Sequence, residues 1–206
     1  MPLVRRPGPP PQDLRATAGI LEGLASPSEE ARWIAARAAA GIADYATPLA
    51  AALGREPAPR VRQAMFTSLS RMDSAGVGAV LPLLRSDDAG LRTGALDALR
   101  IMVRSSPELL PPLLDDTDVD VRILSCELAR ALPGDAATAL LCDLLRREED
   151  PNVCAAAVDV LAEVGQSEAL PVLAACALKF RDTPFLTFAI QVTVERISSP
   201  PPLARA

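Results

Sequence analysis

The chain has 206 residues, half of them hydrophobic, with a formal charge of −5 and no histidine. That apolar share excludes global disorder, and aromatics at 3% amid abundant Ala and Leu disfavour a β-rich fold. Without His, Ser-His and Cys-His nucleophile pairs and the commonest metal ligand are excluded.

The first segment, Met1 to Pro7, carries charges with no apolar stretch behind them, unlike a signal peptide. Residues 1–12 are Pro-rich and are expected to form a disordered tail. From residue 13 onward, helical segments alternate. An apolar run Leu14–Leu24 leads to a second helix opened by Ser28 and anchored by Ala31, ending at Gly41. The run Pro48–Leu53 leads to a helix anchored by Val61, with Pro59 in its first turn and Ala58 at the cap. Gly76 is read as the next breaker, followed by Val80–Leu84 and a helix capped by Asp88 and anchored by Leu91. After Pro107 come Leu109–Leu114 and the helix of Asp118 and Val121; after Gly134, Ala139–Leu145 and the helix of Asp150 and Val153. After Gly165, Leu170–Leu178 leads to a last helix, with Asp182 as cap and Phe185 as anchor.

The six anchors are separated by steps of 30, 30, 30, 32 and 32 residues. A fixed period of this size marks a repeat architecture. The expectation is twelve helices in six hairpins, at 13–42, 44–72, 75–104, 107–132, 135–164 and 167–197, followed by a disordered tail over 198–206.

The stretches Asp118-Val119-Asp120-Val121-Arg122 and Asp150-Pro151-Asn152-Val153 carry a family pattern, as do Leu81-Pro82-Leu83-Leu84 and Leu170-Pro171-Val172-Leu173. They resemble HEAT repeats, in particular the short bacterial HEAT-like type named from phycobilisome lyase subunits. The resemblance spans residues 13 to about 197 and implies an all-α fold, an α-α superhelix of the HEAT/armadillo-like solenoid kind. Cys154 and Leu186 stand where the family has Arg.

Several residue sets invite chemistry. Cys126, Cys142, Cys154 and Cys176 are scattered without the close pairs of a zinc site, and read as buried apolar residues. Cys154 is expected to be the partly exposed exception. Asp116, Asp118, Asp120 and Glu127 imitate part of a calcium loop, but Val121 stands where that loop needs Gly, so helix capping is the expected role. No Gly-rich phosphate loop occurs. No catalytic residues, cofactor or metal are therefore expected, and no enzyme activity. No uncharged apolar stretch reaches membrane-spanning length, so a cytoplasmic location and no membrane association are expected.

Charge is unevenly divided: residues 1–103 hold twelve Arg against ten acids, and 104–206 hold nine basic residues against sixteen acids. Nucleic-acid binders need the opposite overall balance, which disfavours DNA or RNA as partner.

The resemblance implies that Arg32, Arg62, Arg92 and Arg122 form a ladder between repeats, with Asp88 and Asp118 as partners. It also implies that the second helix of each hairpin lines a concave, partner-binding face. On that face fall Trp33, Arg37, Arg71, Arg100, Arg104 and Arg130, a set suited to an acidic segment of a protein partner. A second interface is expected at the C-terminal hairpin, where Phe185, Phe188, Ile190 and Val194 leave apolar surface for self-association. The expected function is a protein–protein interaction scaffold. Two alternatives attach to the same repeat type: a tetrapyrrole lyase or chaperone, and a nucleic-acid-binding protein of the DNA glycosylase kind. The paucity of aromatics and the acidic balance disfavour both.

Overall fold

Apolar residues at helical spacing, punctuated by caps and prolines, fold locally into helices that pair with their neighbours. The computed structural model describes residues 19–199, and among them every regular element is a helix. In chain order these are α1 (residues 19–24), α2 (Glu29–Ala38), α3 (Ala46–Leu53), α4 (Pro59–Leu69), α5 (Asp73–Val80) and α6 (Ala89–Ser105). They continue with α7 (Leu110–Leu114), α8 (Val119–Leu128), α9 (Gly134–Arg147), α10 (Pro151–Val164), α11 (Leu170–Lys179) and α12 (Pro184–Ser198). The segment expected to be a tail at the N-terminus lies outside the described residues, as do residues 200–206 of the C-terminal one.

The expected caps are largely in place. The Ser28 hydroxyl accepts the Ala31 N–H at 3.4 Å. Asp88 accepts from Gly90 and Leu91 at 2.7 and 3.1 Å, Asp118 from Asp120 at 2.9 Å, and Asp150 from Asn152 and Val153 at 2.8 and 3.2 Å. Each satisfies donors that a helix start leaves open. Gly41 ends the first hairpin with φ of +76°, a conformation that favours Gly.

Two expectations are corrected. Gly76 does not break a helix; it is buried inside α5, which begins at Asp73, a residue with φ of +44°. The helix α5 gives way after Val80 to the 3-10 turn Leu81–Arg85, where Pro82 lacks the N–H that would continue the ladder. In the last hairpin the N-cap is Thr183 and not Asp182. The core anchor is therefore Leu186, fully buried, and not Phe185, which is 51% exposed. Pro184 fixes this register: as first residue of α12 it matches Pro151 of α10, so Leu186 matches Val153.

The described residues divide into two units, one of residues 19–83 with 88–98 and one of residues 84–87 with 99–199. In the first, α2 packs on α4, and α3, α4 and α5 pack on one another around the buried Leu49, Leu53, Val61, Met65 and Leu69. The Ser68 hydroxyl donates to the Ala36 carbonyl at 2.7 Å and ties α4 to α2 inside this core. In the second, α8, α10 and α12 pack in succession, with α7, α9 and α11 against them. Leu114, Val121, Leu141, Val153, Leu161, Leu173 and Leu186 are buried there.

The Arg ladder exists, with acceptors only partly those expected. Arg32 makes a two-pronged bond to Glu56 at 2.7 and 3.0 Å, and Arg122 makes the same bond to Glu148 at 2.8 and 3.1 Å. Both acids stand two residues before the next helix cap, as does Asp116, which binds Arg85. Asp88 does pair with Arg62, at 3.2 Å, whereas Asp118 pairs with Arg85. Cys154 is not exposed: it is buried in the place of the missing ladder Arg. The carbonyl of Glu148, which that Arg would have bound, receives the Lys179 ammonium at 2.8 Å and the Cys154 thiol at 3.9 Å.

Candidate functional site

The second helices of the first two hairpins, α2 and α4, carry residues at two and six positions past each anchor toward one side, and position ten past Val61 follows just beyond the end of α4. From Ala31 these include Trp33 and Arg37, and from Val61 they are Gln63, Thr67 and Arg71. A groove of about 450 Å³ opens among them, lined by Trp33, Arg37, Arg60, Gln63, Thr67 and Arg71, with Ala40, Ala64 and Ser68 beneath.

Trp33 organises this groove. The Arg37 guanidinium lies 4.5 Å from its ring centroid and that of Arg60 lies 4.2 Å away, both within cation–π range. Arg37 comes from the same helix one turn on, and Arg60 from the first turn of α4. Arg60 also pairs with Glu30 at 2.9 Å, a contact exposed on both sides. Thr67 turns its hydroxyl to the Gln63 carbonyl at 2.8 Å. Among the described residues no carboxylate lines the groove; three guanidiniums face it, of which Arg60 is already paired with Glu30 at its edge. The arrangement can hold an anionic group against an aromatic surface.

Of the six residues placed on the partner face by sequence, Trp33, Arg37 and Arg71 line this one groove. Arg100, half-buried, and Arg104, exposed, lie in the part of α6 that belongs to the second unit. Arg130 sits among acids. It is held by Asp159 at 2.8 Å, by Glu163 at 3.0 and 3.1 Å, and by Glu127. Burial works against its charge, yet the bonds to Glu163, Glu127 and Asp159 raise its pKa above the usual arginine value. The bond from Arg130 in turn holds the Glu163 carboxyl below its ordinary range. A cation so compensated offers little to an acidic partner.

At the C-terminal end, Phe185 (51%), Phe188 (69%) and Val192 (45%) are exposed on α12. Ile190, expected beside them, is only 3% exposed and belongs to the core, and Val194 is half-buried. The cause is the one-residue shift in register that makes Leu186 the anchor.

Arg60 is the site residue that sequence reading missed. It precedes the anchor Val61 by one, outside the positions counted on the face, and reaches Trp33 only because α4 lies against α2. The acidic series suspected of imitating a calcium loop is engaged otherwise. Asp116 binds Arg85 and the Asp118 N–H, Asp118 caps α8, and Glu127 binds Arg130. Among the described residues no group of three or more His, Cys, Asp or Glu is arranged to hold a metal ion, and no helix is long and apolar enough to cross a membrane.

Paired helices repeating at 30 to 33 residues, with an Arg at the start of most second helices, define a helical-repeat protein of the HEAT/armadillo-like class. A family model of HEAT repeats matches residues 17–100 and 106–184, and the chain belongs to that family. No curated protein matches it in sequence. Solved structures similar to it include an engineered protein at 20% identity, covering 88% of this chain and 98% of that one, with a TM-score of 0.42. A second engineered protein is 18% identical over 86% and 94% of the two chains, with a TM-score of 0.40. A designed armadillo repeat protein is 17% identical over 87% and 98%, with a TM-score of 0.39.

Proposed function

We propose that this HEAT-repeat chain is a protein-interaction module that holds an acidic segment of a partner protein in the α2–α4 groove. The observation that carries the reading is the cluster of Trp33, Arg37, Arg60 and Arg71 around a groove without a lining carboxylate. Trp and Arg are the residue types most enriched among interface hot spots, and guanidiniums match carboxylates in geometry. HEAT repeats commonly mediate protein interactions, which favours a protein over a small-molecule substrate. A flat tetrapyrrole would ask for several aromatic walls, and this groove offers one ring. A nucleic acid would ask for a broad positive surface, whereas the Arg130 cluster in the second unit is dominated by acids.

Trp33 is the only tryptophan, so its emission reports directly on the groove. Titration with a glutamate-rich peptide at low salt is expected to change that emission saturably. In Arg37→Glu with Arg71→Glu, binding is expected to weaken at least about tenfold, or about 1.4 kcal/mol. A double variant that binds the peptide as well as wild type, or a wild type whose emission never changes, removes the groove from the function.

A further inference from the structure

Two of the four free thiols meet around one backbone carbonyl. The Cys154 thiol donates to the Glu148 carbonyl oxygen at 3.9 Å, and the Lys179 ammonium donates to the same oxygen at 2.8 Å. Cys176 stands one turn before Lys179 on α11, and its thiol hydrogen-bonds that of Cys154. The pair thus bridges the first turn of α10 and the last turn of α11. Cys126 instead donates to the Val153 carbonyl at 3.9 Å. Burial raises the Cys126 and Cys142 thiols, that of Cys126 to about 12. Packing as small apolar residues accounts for those two, but not for a thiol polarised by a second thiol and an ammonium.

The two sulfurs of the pair are not equivalent. The bond from Cys154 draws the Cys176 thiol below its ordinary pKa, against burial and with help from the Lys179 ammonium. Cys154 is raised by the same bond, by burial, and by the nearby Cys176 and Glu148 charges. Access differs in the same sense. Cys154 is fully buried, whereas Cys176 lines a cavity of about 360 Å³ between Leu145 and Val172, with Arg146 and Lys179 also in its wall. Such a cavity admits a molecule little larger than water, whose share of liquid volume is about 30 Å³.

We propose that Cys154 and Cys176 are a reversible modification site, at which hydrogen peroxide converts the pair to a disulfide. The Cys176 thiolate attacks one peroxide oxygen. An S–O bond forms, the O–O bond breaks, and the leaving hydroxide recovers as water the proton that Cys176 gave up. The Cys154 sulfur then attacks the Cys176 sulfenic acid, forming the S–S bond and expelling the hydroxyl, which leaves as water with the Cys154 proton. Two thiols are oxidised and one peroxide is reduced to two waters. The product has no S–H, so Lys179 is left to satisfy the Glu148 carbonyl while α10 and α11 become covalently joined. The site lies wholly within the second unit and does not depend on what the α2–α4 groove binds.

Peroxide treatment of the reduced full chain, followed by alkylation of the unfolded protein, tests the proposal. Wild type is expected to lose two of its four alkylatable thiols, to become lighter by two hydrogen atoms, and to yield a peptide linked through Cys154 and Cys176. Dithiothreitol is expected to restore all four. Cys126→Ala with Cys142→Ala is expected to form the same disulfide. Cys154→Ala is expected to stop at a sulfenic acid on Cys176, trapped by dimedone, and Cys176→Ala to leave Cys154 reduced at the same dose. Lys179→Met is expected to slow thiol loss about threefold or more. The wild-type readouts need no substitution, so the proposal stands or falls on them even where a variant unfolds. Four alkylatable thiols after treatment, or a disulfide that joins any other pair, overturns it. Oxidation of Cys154 in Cys176→Ala as fast as in wild type overturns the assignment of Cys176 as the attacking sulfur.

Discussion

Glu148 is only 7% exposed and still carries its charge. Burial pushes its pKa up, but the bond from Arg122 and the backbone N–H groups of Asp150 and Glu149 together hold it below the usual carboxylate range. The folded pKa thus lies under the unfolded value of about 4.3, so the pair stabilises fully above that pH. Its contribution is lost as pH falls through the folded value. Replacing Arg122 by Met leaves the acid buried with its main counter-charge gone, at a cost of about 3 kcal/mol near neutrality. Burial then dominates and the carboxyl takes up a proton more readily than in the unfolded chain. The deficit of Arg122→Met relative to wild type is expected to shrink between about pH 7 and pH 5, near the range where a raised carboxyl protonates. Urea unfolding at both values measures this; a gap that does not change with pH would mean that Glu148 is not the group left stranded.

The ladder was half legible at this scale. The donors repeat with the anchors, so Arg32, Arg62 and Arg122 stand out in the sequence. Their acceptors do not, because Glu56 and Glu148 bond to arginines 24 and 26 residues away, in the preceding hairpin. A signal did exist: Glu56, Asp116 and Glu148 share one offset, two residues before a helix cap. Arg130 shows the same difficulty. Its partners Asp159 and Glu163 lie 29 and 33 residues on, at the facing positions of the next repeat. Counting charge on each helix separately made it look free.

Among the elements, α12 separates two readings of the sequence most sharply. Asp182 resembles a cap and Pro184 resembles a first-turn residue, and they disagree by one position. The structure follows the proline, because its fixed φ suits the first turn and its missing N–H costs nothing there. The consequence is a physical asymmetry between adjacent residues. Leu186 is fully buried, so Leu186→Ala is expected to destabilise by about 2–5 kcal/mol. Phe185→Ala removes a larger side chain from a half-exposed site and is expected to stay within about 0.5 kcal/mol. Equal losses in denaturant titrations would return the anchor to Phe185. The other helices were easier to place, because Ser28, Asp88, Asp118 and Asp150 each begin a helix whose apolar positions start three residues later. The segment around Gly76 was misplaced because Gly is a breaker only on average. Here it lies buried within α5.

At the scale of the whole chain, repeats contact their neighbours, so stability is a sum of local terms rather than one cooperative quantity. The division of contacts into two units sharpens that expectation. Leu49 of α3 is fully buried within the first unit. Leu49→Ala should cost about 2–5 kcal/mol where it acts. Native-state hydrogen exchange reads the distribution directly, because amides report the opening of the unit that holds them. Amides of α3 and α4 are expected to lose protection by a factor matching that cost, while those of α10 and α12 keep wild-type rates. The groove around Trp33 would then open with its own unit, and peptide binding there should weaken together with α4 protection. Uniform loss of protection from α3 to α12 would instead mean that the chain unfolds as a single cooperative body.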